Sequence, residues 1–214
     1  MKIYLLVIPV IIGILFGTVM ITTEENSSAD SVVLNKKNLF DGSTILGNPN
    51  AKISIVEFGD YQCTFCYKFH KDTMKMIVEQ YVVNGEVNFV YKDFPLNGPS
   101  SIMASEASYC AKEQGKFWQY HDIIYENWEG ENTGWVTRNA LERFAENIGL
   151  DMNKFNSCMN DSKYHQKVLD NEEFARKINI DATPYFIIFD DENAYRIIGA
   201  QPIERFKQVF EELG

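Results

Sequence analysis

Cys63 and Cys66, in the run Cys63-Thr64-Phe65-Cys66, combine two thiols at a spacing suited to disulfide exchange. They follow a β-type apolar run, Lys52–Phe58, a break at residues 59–62, and precede a helical pattern reaching about Val83. That placement has a mechanical consequence. A helix N-terminus offers unpaired N–H groups and the positive end of the helix dipole. Both stabilise a thiolate, so the pKa of Cys63 is expected below the free value of about 8.5. The thiolate is the nucleophile of disulfide exchange and also its better leaving group. Cys63, at the helix tip, is read as the nucleophile, and Cys66, one turn in, as the resolving thiol. A purely structural bridge between them would close too small a loop to constrain the unfolded chain.

The sequence holds two further cysteines, Cys110 and Cys158. Four cysteines allow three pairings. The simplest is a redox pair 63–66 and a structural pair 110–158. Closed zinc sites usually need two short-spaced ligand pairs, and only one is present, so no metal is expected. No cofactor is implied either, because the reactive group is the cysteine pair itself. His70 is read as a surface residue, and His121 and His165 as isolated. Tyr61 and Phe65 flank the pair and are candidates to line a groove for a peptide.

These residues need a scaffold. Lys52–Phe58 reads as a mostly buried strand, Cys63–Val83 as a helix, and Val87–Tyr91 as a second strand, the βαβ order of a parallel sheet. Helical patterns then run from Ser100 to about Asn179: Ser100–Gln114, capped by Ser100 or Ser101, then Phe117–Trp128, Thr137–Ile148, a short helix capped by Asp151, and Ser162–Ile178. Pro184 opens a hairpin of Tyr185–Phe189 and Tyr195–Ile198, and Pro202–Leu213 is amphipathic. The predicted architecture is therefore α/β: a thioredoxin-like core over residues 39–99 and 180–214, with an all-helical insertion over 100–179. Sequence alone makes trans the default for Thr183-Pro184.

The run Ile3–Ile21 carries no charge and is long enough to cross a bilayer as a helix. Lys2 before it and Glu24 and Glu25 after it orient the N-terminus inward and the rest outward. Residues 1–22 are therefore read as a membrane anchor or a signal sequence, and 23–38 as a polar tether. The net charge of −10 excludes the basic footprint that nucleic-acid binding requires.

The segments ILGNPNAKISIVEFGDYQCTFC, CAKEQGKFWQYHD, FNSCMNDSKY, IDATPYFIIF and GAQPIERFKQVF together resemble the DsbA-like branch of the thioredoxin superfamily over about residues 40–213. The resemblance implies an extracytoplasmic thiol–disulfide oxidoreductase that forms disulfides in exported proteins, with a reductase or isomerase as the alternative and a non-catalytic peptide-binding domain as a third. It implies exported cysteine-containing proteins as substrates and a membrane re-oxidant or reductant as partner. It implies a cis Pro184 beside the active site, with Thr183 offering backbone hydrogen bonds to a substrate peptide. Cys110 and Cys158 match positions that often pair in the family's insertion. Glu57 matches a buried acid that relays the proton of Cys66; the alternative is a satisfied half-buried carboxylate. The dipeptide Thr64-Phe65 departs from the Pro-His of strongly oxidising members. Potentials of such pairs span about −120 to −270 mV, roughly 7 kcal/mol for two electrons, and an intermediate value is expected here.

Overall fold

The computed structural model describes residues 36–214. The predicted anchor and most of the predicted tether lie outside the described residues. Among the described residues, no helix is long and apolar enough to cross a membrane.

A five-stranded sheet in the order β1-β3-β2-β4-β5 carries the site. β2 (Ile53–Gly59) and β3 (Val87–Asp93) are parallel, and every residue of both is buried. Neither strand alternates polar and apolar residues, since a strand covered on both faces has no reason to. Both also bury polar groups: Ser54 and Glu57 on β2, Asn88, Lys92 and Asp93 on β3. β4 (Tyr185–Phe189) lies antiparallel to β2, and β5 (Ala194–Ile198) antiparallel to β4. β1 (Ile45–Leu46), unpredicted, pairs antiparallel with β3. Its two residues are too few to leave a local pattern. α1 (Lys36–Phe40) is also unpredicted, and it begins inside the segment read as tether. It is held by Leu39, which is buried against the sheet beside Val56 and Val90.

One sheet face packs Ile53, Ile55, Phe89 and Phe186 against Phe69 and against α9 (Ile203–Leu213). α9 contributes Ile203, Phe206, Val209, Phe210 and Leu213, the i, i+3, i+4 stripe that a helix needs to cover a sheet. The opposite face packs Val56, Phe58 and Val90 against α1 and the end of α8 (His165–Lys177). The last helix of the insertion thus covers the sheet itself.

The expected helix over 63–83 is not uniform. α2 (Thr64–Phe69) widens into a π-helical stretch at His70–Met74, returns to α geometry in α3 (Lys75–Ile77), and widens again at Val78–Val82. The insertion comprises α4 (Pro99–Lys112), α5 (Phe117–Glu126), α6 (Arg138–Asn147), α7 (Met152–Asn160) and α8. α4 is not capped by a serine: Gly98 precedes it at φ 88 and Pro99 supplies the first helical residue, a position where the missing N–H costs nothing. α8 starts at His165 instead of Ser162, because Ser162 sits in the left-handed region at φ 46. Thr137 and Asp151 cap α6 and α7 through side-chain oxygens that accept from backbone N–H groups. A disulfide between Cys110 and Cys158 ties α4 to α7, with Cα atoms 5.8 Å apart.

Candidate active site

β2 ends at Gly59, and the four residues before α2 turn the chain so that Cys63 lands at its N-terminus. Asp60 builds this turn. Its Oδ1 accepts from the Gln62 N–H at 2.8 Å and from the Ser101 hydroxyl at 2.6 Å, and its Oδ2 accepts from the Asn97 N–H at 2.7 Å. The Cys63 N–H donates to the Asp60 carbonyl at 3.0 Å. Sequence reasoning passed over Asp60. The signal was its type: aspartate after a strand-ending glycine folds back on the backbone two residues ahead.

Cys63 is the N-cap of α2, and its sulfur accepts from the Cys66 N–H at 3.5 Å. Across the cleft, the Cys63 thiol donates to the Thr183 carbonyl at 3.4 Å. The Thr183-Pro184 bond is cis, and it places that carbonyl at the head of β4. Cys63 and Cys66 are free thiols in this structure. The pKa of Cys63 is lowered to about 7. The hydrogen bond from the Cys66 thiol is the largest cause; the Thr183 side chain and the N–H groups of Cys66 and Phe65 add to it, and burial opposes it. Cys66 goes the other way. Burial first, then its hydrogen bond with Cys63, pushes it well above the ordinary thiol value. The two sulfurs therefore divide into one that ionises near neutrality and one that holds its proton, the division of labour that exchange needs.

Glu57 lies on β2 behind the pair, 2 % exposed. Burial, then the charge of Cys63, raises its carboxyl well above the usual range, which favours the protonated form. It is close enough to Cys66 for its own charge to raise that thiol further. Phe65 projects from the first turn of α2, 55 % exposed, beside the nucleophile.

Tyr61 does not line a groove. It is fully buried, with its ring 5.1 Å from that of Tyr91 and 5.3 Å from that of Tyr125. The Asp60 turn points it inward, where its large apolar surface is covered. The histidines also depart from expectation. His70 is half-buried and His121 fully buried, with ring centroids 5.3 Å apart. His165 is paired, its Nδ1 lying 2.6 Å from Glu106 Oε1.

A dithiol at a helix tip, one thiol acidified and facing a cis-proline turn on a mixed sheet, defines a thiol–disulfide oxidoreductase of the thioredoxin fold. A family model described as Thioredoxin matches residues 40–212. The chain belongs to that family, and within it to the DsbA-like proteins. It is 26 % identical over 183 residues to a probable disulfide bond formation protein D of Bacillus cereus, covering 81 % of this chain and 84 % of that one. The oxidised structure of BdbD from Bacillus subtilis superposes with a TM-score of 0.74 at 25 % identity, covering 81 % of this chain and 94 % of that one. Wolbachia pipientis alpha-DsbA1 gives 0.71 at 26 % identity, covering 81 % and 91 %.

Proposed function

We propose that this oxidoreductase forms disulfides in exported proteins through Cys63 and Cys66. The observation that carries the reading is the acidified Cys63 sulfur at the α2 tip, 3.4 Å from the Thr183 carbonyl. In the oxidised enzyme a substrate thiolate attacks the Cys63 sulfur. The Cys63–Cys66 bond breaks, and Cys66 leaves as a thiolate that takes up a proton. The buried Glu57 carboxyl is the group placed to supply it. A second substrate thiolate then attacks the substrate sulfur of the mixed disulfide, and Cys63 leaves as a stabilised thiolate. The substrate loses two electrons and the enzyme gains them, so a membrane-associated oxidant must restore the disulfide. Thr183 and Pro184 form one wall of the peptide site, and Phe65 offers an apolar rim. Cys110 and Cys158 serve as a structural bridge, and no cofactor takes part.

The apolar run Ile3–Ile21, flanked by Lys2 and Glu24, supports an anchored domain outside the cytoplasm. A membrane-impermeant maleimide is expected to label reduced Cys63 in intact cells, and labelling only after lysis would refute that placement. The direction of exchange is set by the potential. Equilibration with glutathione is expected to give a value between about −120 and −270 mV. The Thr64-Phe65 dipeptide and a Cys63 pKa of about 7 argue against the oxidising extreme, since that value resembles thioredoxin's more than DsbA's. A potential at or below about −270 mV would replace the oxidase reading by a reductase.

A further inference from the structure

Among the described residues, and outside the cysteine pair, a group of three metal-ligating side chains joins the helix of Cys66 to the insertion. His70 opens the π-helical stretch after α2, and its N–H donates to the Cys66 carbonyl. His121 and Asp122 come from α5. One ligand atom from each of the three lies within 4.8 Å of the other two.

The hydrogen bonding of these groups is incomplete. His121 Nδ1 stands 3.1 Å from Asp122 Oδ1, while His121 Nε2 and His70 Nδ1 are buried without a partner. Neither neutral tautomer of His121 resolves this. With the proton on Nδ1, Nε2 is a bare acceptor buried among the rings of Tyr61, Tyr91 and Tyr125. With the proton on Nε2, that N–H lies in the aromatic surroundings of the His121 ring, whose centroid is 4.9 Å from that of Tyr91 in an edge-on arrangement. The Nδ1 lone pair then faces a carboxylate oxygen at 3.1 Å, a repulsive arrangement that a cation bound between them would turn into an attractive one.

We propose that His70, His121 and Asp122 bind a divalent cation of the zinc class. Two imidazoles and one carboxylate suit zinc and its transition-metal neighbours, whereas calcium and magnesium call for oxygen ligands throughout. Zinc–ligand bonds of about 2.0–2.2 Å put tetrahedral donor atoms roughly 3.3 Å apart. His121 Nδ1 and Asp122 Oδ1 are already near that separation. With ligand atoms of all three residues within 4.8 Å of one another, closing the site takes movements on the order of 1.5 Å. Access comes from a groove of about 570 Å³ bordered by His70 and Asp122. Its other charged residues, Lys71, Lys75, Glu79 and Glu126, cancel in pairs, so Asp122 sets the net charge. The open side leaves a fourth position for water. The bound cation would clamp the helix of Cys66 to α5, one turn beyond the resolving thiol.

The test uses the full-length, tag-free chain with Cys63–Cys66 oxidised, so that no thiolate competes for metal. Titration with zinc chloride is expected to show one equivalent bound at low-micromolar affinity or tighter, and a raised melting temperature. Cobalt(II) in its place should give the visible absorption of a tetrahedral N/O site. H70Q and D122N should each weaken binding at least about tenfold. Asp122 is 48 % exposed, so D122N preserves the fold, and circular dichroism verifies that for both variants. No binding by the native chain, or binding that neither substitution weakens, would overturn the proposal.

Discussion

Replacing Cys63 by Ser is expected to reduce disulfide exchange to the uncatalysed rate. A serine hydroxyl at the same helix tip has no low-pKa sulfur to offer and forms no disulfide with Cys66. Cys66→Ala should behave differently. Cys63 then reacts once with a substrate disulfide and holds it, because the resolving thiol is gone, and the covalent complex accumulates on a non-reducing gel. Glu57→Gln separates the steps further. Gln cannot deliver or take up a proton. In the reducing direction, the Cys63 thiolate of the variant should therefore form a mixed disulfide with a model disulfide at the normal rate, because Cys66 keeps its proton in that step. The release step, in which Cys66 must lose its proton, should slow. Stopped-flow measurement of both phases reads this directly. Equal slowing of both would assign Glu57 a merely structural part, and full activity of Cys63→Ser would remove the assignment of the nucleophile.

The second large effect falls on stability. Cys110→Ala combined with Cys158→Ala opens a bridge between residues separated by 48 positions. Chain-entropy reasoning for a loop of that length gives a loss of about 4 kcal/mol. The loss of packing adds to it, since both side chains lie in the core of the insertion. Urea denaturation of the oxidised proteins should show the difference. The Cys63 sulfur, at the α2 tip and not between α4 and α7, should keep its reactivity in the double variant. A loss under about 1 kcal/mol would mean that the reduced insertion already retains its fold.

Such contrasts were partly legible before the structure. β4 coincides with its predicted span because five buried residues, Tyr185–Phe189, read as one apolar run. α9 was legible from its single stripe. Cys63 and Cys66 were legible because their chemistry follows from local geometry: a strand, a turn, then a helix start. The failures share the opposite property. β1 exists only through β3, so its own two residues carry no signal. Tyr61 stands two positions before Cys63, and nearness along the chain suggested nearness to solvent. The Asp60 turn, completed by Ser101 and Asn97 from far along the chain, reverses it. His70 and His121 sit 5.3 Å apart because the insertion folds back on α2, a contact that ligand-spacing rules for short motifs do not detect. Glu57 shows the intermediate case. Its burial was inferable from its strand, and that burial is the largest cause of its raised pKa; only the added contribution of the Cys63 charge depends on how the fold places the two groups.

The low pKa of one sulfur underlies the exchange chemistry, and the rate of alkylation of the reduced protein measures it directly. With iodoacetamide, labelling of Cys63 should rise with pH through a single midpoint near 7 and level off above it, because only the thiolate reacts. Cys66 should stay unlabelled over the same range, held protonated by burial. A midpoint at the free-thiol value of about 8.5 or higher, or labelling of Cys66 ahead of Cys63, would contradict the account.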